Sequence, residues 1–111
     1  VAKGEFLGEF EQLVLLALIR LGEGAYGMAV RREIEARADR DVSIGAVYAT
    51  LDRLEEKGLV KSKLGEASEA RGGRAKKCFS ITAAGARALE KSQQAIRHML
   101  EGLPARWNPA R

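Results

Sequence analysis

The stretch "DVSIGAVYATLDRLEEKGLV", residues 41–60, constrains the fold more than any other part of this chain. It carries both a start and a stop. Ser43 is a favoured N-cap residue, and Gly58 followed by Leu59 predicts a Schellman-type ending with an apolar residue just beyond it. At 100° per residue, Ile44, Val47, Leu51 and Leu54 share one face, with Tyr48 at its edge. The opposite face carries Gly45, Ala46, Ala49 and Arg53, with Thr50 on the flank. A solvent-facing helix ordinarily shows Lys and Glu there. Small side chains instead let the helix backbone approach another surface, and a helix N-terminus offers free N–H donors and partial positive charge. Two occupants satisfy that face: a DNA groove or a helix of another protein.

The flanking segments set the context. Residues 27–38, "GMAVRREIEARA", predict an amphipathic helix with Val30 and Ile34 inward and Arg31, Arg32 and Glu35 outward. A short polar connection, "DRD", joins it to the helix above, and two such helices in succession are a helix-turn-helix pattern. Earlier, residues 7–21 place Phe10, Leu13, Val14, Ala17, Leu18 and Leu21 on one stripe. Leu15, Leu16 and Ile19 fall off it. A helix apolar nearly all round is covered on more than one side, here expected to include another subunit. Beyond Gly58, "LVKSKL" (59–64) and "KCFSI" (77–81) predict two short strands joined by a polar, Gly-containing hairpin loop.

That hairpin changes the balance between the two occupants. Arg71, Arg74, Lys76 and Lys77 cluster beside the Gly72–Gly73 turn, and Lys61 and Lys63 stand on the neighbouring strand. Over the whole chain the net charge is only +4, so the local clustering carries the information. A basic hairpin directly after a helix-turn-helix is the layout of a winged helix, in which the wing meets DNA backbone or minor groove. The composite favours DNA over a solvated loop.

Thr82 then N-caps a long helix whose Gly85, Leu89, Ser92, Ile96, Met99 and Leu103 alternate in steps of four and three, with Leu100 widening the stripe. This is a short a/d seam, read as a dimer interface together with the all-round apolar first helix. Leu15, Leu16, Leu89, Ile96, Met99, Leu100 and Leu103 are the interface residues expected. A two-fold dimer presents two recognition helices to adjacent major grooves, so its operator should be near-palindromic.

Other function classes find little. One His, His98, and one Cys, Cys78, fall short of a typical zinc site, and no nucleophile elbow, P-loop or H-E-x-x-H motif occurs. The sequence therefore predicts no catalytic residues, no metal and no cofactor. A single cysteine excludes an internal disulfide and fits a reducing compartment. The longest apolar run, residues 13–19, is too short to span a bilayer. The chain reads as cytoplasmic with no membrane partner.

The segments "LGEFEQLVLLALIRL", "GAYGMAVRREIE", "VSIGAVYATLDRLEEKGLV" and "RGGRAKKCFSITAAG" resemble, in that order, PadR-like transcriptional regulators over about residues 7–103. The most specific pieces are the run G-x-V-Y-x-x-L-x-R-L-E-x-x-G-L and the basic hairpin ending in T-x-x-G. The resemblance implies a winged helix-turn-helix dimer that binds operator DNA, usually as a repressor. It aligns the recognition helix with residues 43–57, the wing with 65–76, and the dimerisation helix with the segment starting at Thr82. Ala49 stands where many members have Pro, which leaves the helix unkinked. Phe79 stands where Tyr is frequent.

The expected architecture is mostly α with a small two-stranded antiparallel β-wing. A winged helix-turn-helix domain over 7–81 is followed by a dimerisation helix over 82–103 and a tail over 104–111. The expected DNA contacts are Ser43, Gly45, Ala46, Tyr48, Ala49, Thr50, Arg53, Arg71, Gly73, Arg74 and Lys76. A protein-interaction module using the same fold without DNA is the alternative. A small-molecule effector at the dimer interface, beside Phe6, Phe10 or Trp107, is compatible with the first reading.

Overall fold

The computed structural model of the chain describes residues 6–65 and 76–107. Helices α1 (Glu9–Leu21), α2 (Gly27–Ala38) and α3 (Ile44–Glu56) precede strands β1 (Val60–Leu64) and β2 (Lys77–Ile81). Helix α4 (Ala83–Leu100) follows, and a single 3₁₀ turn at Ala105–Trp107 interrupts the expected tail.

Helix α1 is the hub. It packs against α2, α3, β2 and α4, which explains its nearly continuous apolar surface without a second subunit on every side. Val14, Leu15, Ala17 and Leu18 are buried. Leu15, expected at a dimer interface, instead lies wholly inside the domain's own core. Leu16 and Ile19 stay exposed. Phe10 packs against the core as well. Each fully buried Leu or Val here contributes about 2 kcal/mol by leaving water.

The helix-turn-helix closes through short-range chemistry. Asp39 ends α2 in the left-handed region at φ 52°, a conformation that Asp tolerates better than most residues. The Glu35 carboxylate then accepts the Val42 N–H at 3.1 Å, and the Val42 side chain is buried. Ser43 Oγ caps α3 by accepting the Ala46 N–H at 3.0 Å. At the other end, the Gly58 N–H donates to the Glu55 carbonyl and the Leu59 N–H to the Leu54 carbonyl, each at 2.9 Å. With Gly58 at φ 77°, this is the Schellman motif that the sequence predicts.

β1 and β2 pair antiparallel, Val60 opposite Ile81 and Leu64 opposite Lys77. The segment between α1 and α2, which the sequence reads only as a turn, adds to this sheet. Tyr26 forms a bridge with Cys78, and the Phe79 N–H donates to the Ala25 carbonyl at 2.9 Å.

The T-x-x-G motif fastens α4 to the end of α3. Thr82 Oγ1 donates to the Gly58 carbonyl at 2.8 Å and accepts the Gly85 N–H at 3.0 Å, while the Thr82 N–H donates to the Leu59 carbonyl. A Cβ on Gly85 would overlap that Leu59 carbonyl oxygen, so glycine there is a packing requirement. Farther along, Ser92 Oγ accepts the Leu7 N–H at 2.9 Å in a buried setting, and Gln93 Nε2 donates to Gln12 Oε1.

The a/d seam of α4 is consequently divided. Gly85, Leu89 and Ser92 face the domain's own core, so Leu89 is corrected from interface to core. Ile96, Met99, Leu100 and Leu103 remain exposed, Met99 at 76%. Residues 96–100, the last turn and a half of α4, are exposed throughout.

Candidate nucleic-acid interface

The N-terminal face of α3 is open. Ser43, Gly45, Ala46, Tyr48, Ala49 and Arg53 are all exposed. A Cβ built on Gly45 meets nothing within 4 Å, so no intrachain packing demands glycine there. With Ala46 N–H taken by Ser43 Oγ, the N–H groups of Ile44 and Gly45 belong to the unpaired first turn that favours an anion.

Thr50 does not join this face. It is 3% exposed, and its Oγ1 accepts from Arg53 Nη2 at 3.4 Å. The expected contact from Thr50 is corrected on that ground: at the flank of the helix, a short side chain turns inward with Val47 and Leu54. Arg53 keeps its guanidinium at the surface, beside the exposed Asp52.

Tyr48 sits between three elements. Its ring covers Gly27 at the start of α2, where an added Cβ would come within 2.5 Å of the phenol oxygen. The same ring lies 6.5 Å from that of Phe79, tilted by 58°. Phe79 thus retains the packing role of an aromatic at that strand position.

The wing root is tied to the recognition helix by Glu55, a residue that the sequence does not single out. Ser62 Oγ on β1 donates to Glu55 Oε2 at 2.6 Å, and Lys77 Nζ on β2 lies 3.7 Å from Glu55 Oε1. One carboxylate so holds both strands. The available signal is its spacing four residues after Leu51, which puts Glu55 along the buried stripe. Lys76 stands at the described edge of the hairpin, its Nζ 5.4 Å from the Tyr26 ring centroid. Arg71, Gly73 and Arg74 lie outside the described residues.

This arrangement of three helices, a tied two-stranded wing and an open helix face coincides with a known family. The family model of the transcriptional regulator PadR-like family matches residues 15–91. The chain belongs to that family. Its fold is similar to that of a PadR family transcription regulator from hypervirulent Clostridium difficile R20291, with 26% identity, 83% of this chain and 91% of that one covered, and a TM-score of 0.68. A padr family transcriptional regulator from Eggerthella lenta DSM 2243 is 26% identical over 85% of this chain and 81% of that chain, with a TM-score of 0.66. A PadR-like transcription factor from bacteroid fragilis shares the fold at 22% identity and a TM-score of 0.69, covering 81% and 82% of the two chains. Comparison with curated proteins gave no match.

As a member of the PadR-like family, the protein is a winged-helix transcriptional regulator of the DNA-binding type. Among the described residues, no group of His, Cys, Asp and Glu is placed to hold a metal ion. No described helix is long and apolar enough to cross a membrane.

Proposed function

We propose that the protein is a homodimeric, cytoplasmic repressor that binds a near-palindromic operator. The observation carrying this reading is the exposed, nearly bare N-terminal face of α3, in a chain whose family regulates transcription. Ser43 caps the recognition helix and offers its O–H to a phosphate. Gly45, Ala46 and Ala49 give clearance in the major groove, with Ala46 or Ala49 against a thymine methyl. Tyr48 and Arg53 supply polar contacts, and Arg71, Arg74 and Lys76, with Gly73 in the turn, supply the sequence-independent electrostatic component.

The exposed end of α4, with Leu16, supports the dimer. Ile96, Met99 and Leu100 form an exposed apolar stripe at the end of α4, with the exposed Leu103 just past Gly102, that a second copy would cover. Two-fold pairing would place the recognition helices about one helical turn of DNA apart, roughly 34 Å. Selection of bound duplexes from random DNA, at two salt concentrations, tests the whole reading. The expected outcome is an inverted repeat whose affinity falls steeply with salt. A pool with no enriched motif, or binding indifferent to salt, would refute it.

A further inference from the structure

The segment after α1 joins the wing sheet at its β2 edge through Ala25 and Tyr26, with residues 22–24 just before that edge. Strand alternation decides which side chains lie on each face of the sheet. Ser62 and Phe79 are cross-strand partners and turn toward α3, where Ser62 meets Glu55 and Phe79 meets Tyr48. Lys61 and Lys63, paired with Ser80 and Cys78, therefore occupy the opposite face. Between these residues and positions 18–24 runs an open groove of about 800 Å³, within the range of small-molecule sites.

Its lining has two chemical parts. Leu18, Ile19 and Cys78 supply an apolar wall, and Ile19 is 51% exposed despite its aliphatic side chain. Lys61 and Lys63 stand on one strand about 7 Å apart. Both are exposed, and among the described residues neither has a hydrogen-bond acceptor or an ion-pair partner. Among the described lining residues Glu23 is the single acid, and it is paired with neither lysine.

Two uncompensated ammonium groups beside an apolar wall are complementary to a molecule with one anionic head and an apolar body. We infer that this groove binds an amphipathic carboxylate, its tail along Ile19 and Cys78 and its head between Lys61 and Lys63. The site is separate from the exposed stripe of α4, and the inference does not depend on DNA binding.

The chain's single cysteine reports on the groove. Decanoate should slow alkylation of Cys78 by N-ethylmaleimide in a saturable manner. It should also shift backbone amide NMR signals of residues 18–24, 61–63 and 78–80. Lys61→Gln with Lys63→Gln should raise the half-protecting concentration about tenfold, the equivalent of one charge-assisted hydrogen bond or more, without changing the melting temperature. Decylammonium, with the same tail and the opposite head, should give neither effect. If the thiol reacts too slowly to follow, the NMR shifts decide. Absence of both effects with decanoate overturns the inference. So does equal binding of decylammonium, an unchanged response in the double variant, or shifts confined to residues 96–107.

Discussion

Glycine at position 45 and glycine at position 27 answer different needs, and each yields a separable test. Gly45 has open space where a side chain would stand. Gly45→Ala should therefore stabilise the fold by about 0.5–1 kcal/mol through helix propensity, read as a higher urea midpoint. Gly45→Glu should leave folding intact and abolish operator binding, because it sets bulk and charge against the groove; Ala46→Glu should do the same. Retained affinity in both would mean that the face meets something other than DNA. At Gly27 the added carbon falls on the Tyr48 ring, the far end of a side chain that can swing. Gly27→Ala should thus cost little stability while displacing Tyr48 and weakening specific binding more than non-specific binding. Glu11 acts on stability alone. Burial raises its pKa, but the Lys57 hydrogen bond, the Gly8 N–H and the charges of Lys57 and Arg53 outweigh that and hold it below the usual 4.5. A depressed carboxylate stabilises fully above its unfolded pKa, and that contribution is lost as pH falls through the folded value. Glu11→Gln should then lower stability by about 1 kcal/mol at neutral pH and flatten the decline at pH values below the usual carboxylate range. Parallel wild-type and variant pH profiles would contradict it.

Among the elements, those governed by local rules were legible in the sequence and those governed by the chain's neighbours were not. Both ends of α3 follow from the Ser43 cap and the left-handed Gly58, which act within a few residues, whereas α2 ends on a left-handed Asp39 and has no side-chain cap at its start. The fate of Leu15 and Leu89 depended on how many elements surround α1 and α4, which no periodicity encodes. Thr50 shows the same limit: a flank position on a helical wheel becomes interior or surface according to what packs beside it. Glu55 was hidden for a related reason, since its partners Ser62 and Lys77 come from two different strands on either side of the hairpin loop. Its role gives the element-scale prediction. Glu55→Ala should free the wing from α3, lower affinity for operator DNA and reduce the salt dependence. Arg71→Ala with Arg74→Ala should reduce the salt slope too, by about 0.9 for each phosphate no longer neutralised, across all DNA sequences. An unchanged slope in the arginine variant would remove the wing from the DNA-facing surface.

At the scale of the whole molecule, the question is what the exposed end of α4 is for. Ile96 is 57% exposed and Met99 more so, and a stripe of that kind left in water carries an aggregation cost that soluble monomers avoid. Its length also matters. The buried part of the seam, ending at Ser92, anchors the helix through the Leu7 N–H, Gln93 adds a bond to Gln12, and residues 96–100 beyond them are exposed. Covering those residues with a second copy, as proposed above, would give them a function and would place two α3 helices about a two-fold axis. Separation of folding from association follows directly. Ile96→Asp with Leu103→Asp should leave the winged-helix body at its wild-type helicity and melting cooperativity, yet give the monomer mass by light scattering. Half-site affinity should survive in that monomer, while affinity for the full inverted repeat should collapse toward the half-site value, since the gain from linking two binding events disappears. A persistent dimer would show that the interface lies elsewhere, with Leu16 and the exposed side of α1 the next surface to alter.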